Sequence, residues 1–211
     1  MASKLALTLA RGSSTFPSSI RALSYCATNN IGLNRAQNSA FSRTHSTAST
    51  GVITKDEVVN ALQAWCDGIV HIGKVFQSNG DYTTASKKFL DEKYAFDLMD
   101  GSGNNHNVVL FKPTKAAEMP IRHDMDSALS YFAATGLVNE DKGFAITPFT
   151  KIRHKISGMF ITSGTATSMG HYWFTDLSGG ETKVEFTFQY IRGPSGDLKI
   201  VLHHSSLPFN P

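Results

Sequence analysis

The chain runs toward its end through Ile200-Val201-Leu202-His203-His204-Ser205-Ser206, which sets two imidazoles and two hydroxyls after an apolar, β-branched stretch. Histidine is the side chain whose ordinary pKa lies nearest working pH, and a hydroxyl both donates and accepts hydrogen bonds. Together they suit proton transfer and the holding of a small polar molecule. Successive side chains on a strand alternate between faces. Continuing the apolar face of Ile200 and Leu202 puts His204 and Ser206 inside, with Lys199, Val201, His203 and Ser205 on the other face. A bulge would select Ser205 instead of Ser206. A buried imidazole or hydroxyl without a partner costs about 1–3 kcal/mol, so this strand end meets a polar network or a pocket. Tyr131, Tyr172 and Tyr190 are candidates to converge there.

Metal binding fits this pattern poorly. His203 and His204 are adjacent, so a strand points them apart. A zinc site would have to gather His171, His203 and His123 from separate elements, and the two cysteines, Cys26 and Cys66, form no thiolate pair. The expectation is no metal and no cofactor, with Zn or Mn as the alternative. A serine hydrolase is also disfavoured, because no Gly-x-Ser-x-Gly elbow occurs.

Local signals name the elements that must position these groups. Thr54-Lys55-Asp56-Glu57 reads as a capping box, and Val58, Leu62, Trp65, Ile69, Ile72 and Phe76 follow at helical spacing. Asn79-Gly80 stops this long helix. A second helix is expected from Tyr82 to about Phe96, with Ala85, Phe89, Leu90 and Tyr94 inward. A loop at Asp100–Asn105 and a short strand at Asn107–Lys112 come next. A third helix runs from an Asp124 or Asp126 cap to Gly136. The period then changes to two, giving strands at Thr150–Ile161, Ala166–Thr175, Lys183–Arg192 and Leu198–Ser206. Val184, Phe186, Phe188 and Tyr190 make the inner face of the third of these. Helices first and a meander after is an α+β pattern: a curved antiparallel sheet wrapped, cone-like, around the long N-terminal helix.

The chain has 211 residues and a net charge of +3, but the charge is unevenly placed. Residues 1–50 hold ten Ser, six Thr, five cations and no carboxylate, the composition of an organelle transit peptide. The mitochondrial matrix is the expected destination, with the plastid stroma as the alternative. Residues 51–211 carry 15 bases against 17 acids and form the folded domain. That balance shows no basic face for nucleic acid, and no stretch is long and apolar enough for a membrane span.

Four segments together carry a resemblance: Leu110-Phe111-Lys112-Pro113-Thr114, Ala128-Leu129-Ser130-Tyr131-Phe132, Asp141-Lys142-Gly143-Phe144-Ala145-Ile146 and Leu202-His203-His204-Ser205-Ser206-Leu207-Pro208. In content and order they resemble the iota-class carbonic anhydrases over about residues 54–209. That family shares its fold with the calcium/calmodulin-dependent kinase II association domain and with nuclear-transport-factor-like and ketosteroid-isomerase-like domains. Some members carry three histidines in the terminal motif. Here Leu202 precedes His203, which removes one candidate ligand. The resemblance implies reversible hydration of CO2 to bicarbonate and a proton, metal-free in at least some members. It places a hydroxyl-rich pocket at Thr114, Tyr131 and either Ser205 or Ser206, with His204 as the candidate proton acceptor or relay. Lys112, Tyr172, Tyr190 and His203 complete the candidate substrate-binding set. A homodimer pairing through the outer sheet face at Lys151, Arg153, Lys155, Glu185 and Thr187 is also implied. The competing readings are a non-catalytic oligomerisation module and an isomerase or cyclase of the same fold, the latter expected to place a carboxylate in its pocket.

Overall fold

The computed structural model describes residues 51–98 and 109–211. The leader assigned to residues 1–50, the loop at 100–105 and the start of the strand expected from Asn107 lie outside them. Helix α1 spans Lys55–Gln77. Its capping box is complete: Thr54 Oγ1 accepts from the Glu57 amide at 3.2 Å, and the Glu57 carboxylate accepts from the Thr54 amide at 2.8 Å. Val58, Leu62, Trp65, Cys66, Ile69 and Ile72 form its buried stripe. Phe76, at the end of that stripe, stays partly exposed against Tyr82.

Helix α2 covers Tyr82–Lys93 and stops short of Phe96. Tyr94 turns extended (φ −108°, ψ 157°) and bridges to Ile200, and the Ala95 amide donates to the Ile200 carbonyl at 3.0 Å. Pairing with the sheet therefore overrides local helix propensity and drops Tyr94 into the core. Strand β1 is Leu110–Lys112. Helix α3 is Met125–Ala133, capped by Asp124 and ended by a left-handed Ala134 (φ 54°).

Strands β2 (Lys151–Ile161), β3 (Thr165–Thr175), β4 (Glu181–Arg192) and β5 (Leu198–Ser206) form an antiparallel meander, and β1 adds in parallel to β5. The sheet order is β1-β5-β4-β3-β2. The α+β architecture expected from the change of period is the one observed. Gly170 sits where β3 crosses the irregularity between Ile156 and Gly158 of β2; a Cβ there would collide with the Lys155 carbonyl.

A second irregularity decides the site. Gln189 pairs with Leu202, but Tyr190 pairs with Ile200, so Val201 is an extra residue in β5. Alternation restarts out of phase after it. His203 and Ser205, each 3% exposed, face the core. The expectation that His204 and Ser206 face inward is corrected: both lie on the outer side of the sheet, with His204 exposed and Ser206 half-exposed.

Aromatic rings fill the space between α1 and the inner sheet face. Trp65 stacks on Tyr172 at 5.4 Å between centroids, and His203 stacks on Phe188 at 4.1 Å. Among the described residues no helix is long and apolar enough to cross a membrane.

Candidate active site

The long-range pairings bring five polar side chains to one cavity. Phe111 of β1 lies beside His203 in the register, so the residues just after β1, Pro113 and Thr114, reach the same end as Ser205. Helix α3 supplies Tyr131, and β3 supplies Tyr172. Thr114, Tyr131, Tyr172, His203 and Ser205 form the polar lining; Trp65, Phe111, Pro113, Phe132 and Phe144 form the apolar lining. The cavity volume is only about 10 Å3. This is room for about one water-sized guest.

The polar groups are linked. Trp65 Nε1 donates to the Tyr94 hydroxyl at 3.0 Å, and that hydroxyl lies 2.7 Å from His203 Nδ1. On the other side of the ring, Nε2 lies 2.8 Å from Ser205 Oγ and 3.1 Å from the Tyr172 hydroxyl. The Tyr172 and Ser205 hydroxyls also bond to each other.

Burial sets the protonation states. It lowers the His203 pKa to about 3, with the neighbouring His204 charge adding to the effect, so the ring is neutral at working pH. Burial raises Tyr131 to about 12, opposed by the backbone amides of Lys115 and Thr114 beside its oxygen. It also holds Tyr94 and Tyr172 well above the ordinary tyrosine value. These residues therefore offer neutral donors and acceptors.

A wider cleft of about 520 Å3 shares Thr114, Tyr131 and Phe144 with the cavity. Lys115, Glu140, Asp141, Lys142 and Asp176 also line it, so it forms a polar vestibule.

The structure gathers Thr114, Tyr131, Tyr172, His203 and Ser205 and leaves the other candidates apart. His204 and Ser206 border a groove on the outer sheet face with His171 and Glu185. Tyr190 lines a separate cleft of about 670 Å3 between α1, the end of α2 and the β4–β5 turn. Lys112 reaches the Ser205 carbonyl at 3.4 Å instead of the cavity. His171 and His203 lie on opposite faces of the sheet, so the zinc set is not assembled, and among the described residues no three His, Cys, Asp or Glu groups converge. Among the described residues no carboxylate lines the small cavity, whereas an isomerase was expected to place one there.

Sequence reasoning passed over several groups that build this site. Tyr94 was legible as an inward residue, but not as the partner of His203. Arg122 is fully buried and grips Asp141 through two bonds of 2.8 and 3.0 Å and Glu140 through one of 3.2 Å. Glu140 also accepts from the amides of Ala117, Glu118 and Met119 at 2.7–3.0 Å. These bonds tie the segment after Thr114 to the segment after α3. A lone arginine and an acidic pair 18 and 19 residues away carry no periodic signal, so only the folded chain reveals the clamp.

A family model described as metal-independent carbonic anhydrase matches residues 56–207. A metal-independent carbonic anhydrase of Nostoc sp. is 39% identical over 159 residues, covering 74% of this chain and 75% of its own length. The crystal structure of an iota-carbonic anhydrase from a cyanobacterium, complexed with bicarbonate, matches with a TM-score of 0.70 and 34% identity. That match covers 76% of this chain and 95% of the cyanobacterial one. A nuclear transport factor 2-like superfamily protein from Salmonella enterica matches at a TM-score of 0.45 and 13% identity, over 74% of this chain and 92% of its own.

Proposed function

This chain belongs to the metal-independent carbonic anhydrase family, and we propose that it hydrates CO2 reversibly where the cavity formed by Thr114, Tyr131, Tyr172, His203 and Ser205 meets the vestibule, the cavity holding the water and the vestibule side, at the shared Thr114, Tyr131 and Phe144, holding CO2. The observation that carries the reading is the convergence of four hydroxyls and a neutral imidazole on a space for one small molecule. The aromatic wall suits apolar CO2, and the hydroxyls suit water and the polar product.

The reaction needs water held against the carbon and somewhere for its proton to go. Fixed hydrogen bonds supply the first and turn an encounter into a nearly unimolecular step. For the second, a hydroxyl accepts and donates at once. As the water oxygen bonds to carbon, one C=O electron pair moves onto an oxygen of CO2. A hydroxyl takes the water proton and passes its own to that oxygen. The product formed at the mouth of the cavity is neutral carbonic acid, which ionises to bicarbonate and a proton in the vestibule. No charge has to be created beside the Trp65 and Phe144 rings, where it would be costly. This pathway does not ask the neutral His203 ring to accept a second proton, in keeping with its low pKa.

Stopped-flow CO2 hydration by the purified protein after chelator treatment tests this. Activity should survive metal removal, and Tyr131→Phe should lower kcat by roughly 10²-fold with the fold intact. Full activity in that variant would remove Tyr131 from the mechanism.

The composition of residues 1–50 supports import into mitochondria; a fusion of these residues to a fluorescent reporter tests it, and plastid accumulation would redirect the assignment. The partly exposed outer sheet face, with Met169 and Phe160 uncovered, supports a homodimer, tested by sedimentation.

A further inference from the structure

The His203 ring is flanked by Phe111 and Phe188, with centroid distances of 5.1 and 4.1 Å, and has bonding partners at both nitrogens. Which nitrogen carries the proton follows from the neighbours. An indole N–H can only donate, so the Tyr94 oxygen accepts from Trp65 Nε1. Among the described residues, the Tyr94 hydrogen has one acceptor within reach, His203 Nδ1. Nδ1 is then the unprotonated nitrogen, and a neutral ring carries its hydrogen on Nε2.

That assignment determines what the cavity receives. Nε2, Ser205 Oγ and the Tyr172 hydroxyl form a closed triangle. With hydrogen on Nε2, the triangle holds three hydrogens. One is used between Nε2 and an oxygen, and one between the two hydroxyls. One hydroxyl hydrogen is left over and free to turn into the cavity. With hydrogen on Nδ1 instead, the triangle holds two, and both are consumed internally.

We propose that Tyr94 is a positioning residue that, by donating to Nδ1, locks His203 as the Nε2–H tautomer and so frees one hydroxyl hydrogen of the Ser205–Tyr172 pair to donate to an oxygen of the substrate. His203 then works as a donor in a relay that begins at Trp65. The kinetic half of this inference rests on the CO2-hydration reading; the tautomer itself does not.

The test is nitrogen-15 NMR of the full protein with labelled histidine, with the His203 signals assigned by their loss in His203→Gln. The expected spectrum at neutral pH shows a protonated Nε2 and a lone-pair Nδ1. Protonation at Nδ1, or at both nitrogens, overturns the proposal whatever the activity. Tyr94→Phe should yield a mixed or inverted His203 pattern. It should also lower kcat roughly tenfold, the scale of one lost hydrogen bond, with KM little changed, because the freed hydrogen matters most as charge grows on the substrate oxygen. A glutamine at 203 presents an amide N–H near the Nε2 position and has no tautomer to lose. In the His203→Gln background, Tyr94→Phe should therefore change kcat by less than about twofold. An equal loss in both backgrounds would show that Tyr94 acts only through packing, which refutes the proposal. Should Tyr94→Phe fail to fold, the wild-type spectrum still decides the tautomer. Wild-type protein without CO2 hydration would overturn the functional reading and leave the NMR result standing.

Discussion

Arg122 and Asp141 should behave as a single unit. Both side chains are 0% exposed, and two bonds of 2.8 and 3.0 Å join them. Asp141→Ala leaves a buried guanidinium whose one remaining carboxylate contact among the described residues is that to Glu140 at 3.2 Å. Removing one member of a buried pair costs about 3–5 kcal/mol, a large part of the roughly 5–15 kcal/mol by which a domain is stable. For a domain of this size the melting temperature should fall by about 6–20 °C. Arg122→Leu strands the Asp141 carboxylate and should cost a similar amount. The double variant strands neither charge, so its loss should be close to that of one single variant and well short of their sum. Urea denaturation followed by circular dichroism measures all three. Additive losses, or single losses below about 1 kcal/mol, would refute the argument that burial makes this pair interdependent. Turnover, measured where each variant is still folded, should fall with the anchor, because the clamped segment follows Thr114.

Ser205→Ala should lower kcat/KM by roughly 10²-fold, while Ser206→Ala and His204→Ala, on the outer face, should stay within about twofold of wild type; the reverse order would put the β5 bulge out of register. The Glu140 carboxyl is held at about 2 by the amides of Met119, Ala117 and Glu118 and then by Arg122, and Glu57 is held at about 2 chiefly by Arg192. A depressed folded pKa adds stability that is full above the ordinary value of 4.5 and is lost as pH falls toward 2. Melting temperature should drop over that interval, and Glu140→Gln should shrink the drop; an unchanged acid profile in that variant would contradict the assignment. Gly170→Ala should cost about 1–3 kcal/mol by forcing β3 away from the Lys155 carbonyl, and equal stability to wild type in thermal melts would show that the strands can part freely.

Much of the architecture was legible locally. The Thr54–Glu57 box, the stripe from Val58 to Ile72 and the alternation of Val184, Phe186, Phe188 and Tyr190 each depend on residues a few positions apart, where helix and strand periods act directly. Thr114 came from resemblance alone, since nothing in its own neighbourhood distinguishes a pocket residue from a core residue, whereas Tyr131 was also a candidate on its own residues, beside Tyr172 and Tyr190. The misplacement of His204 and Ser206 has one cause. Alternation is reliable only while pairing is continuous, and the extra residue at Val201 is defined by its partner strand.

By itself, then, the sequence determined the helix caps, the strand faces up to Ile200, the acid-free composition of residues 1–50 and the family to which the chain belongs. Tertiary structure decided which serine and which histidine enter the cavity, that Tyr94 leaves α2 to meet His203, and that Arg122 is buried against two acids. Backbone period and capping are set by neighbours in sequence, whereas a bulge, a tautomer and a buried charge pair are set by atoms from distant segments. For Tyr94 and His203 those segments lie 109 residues apart.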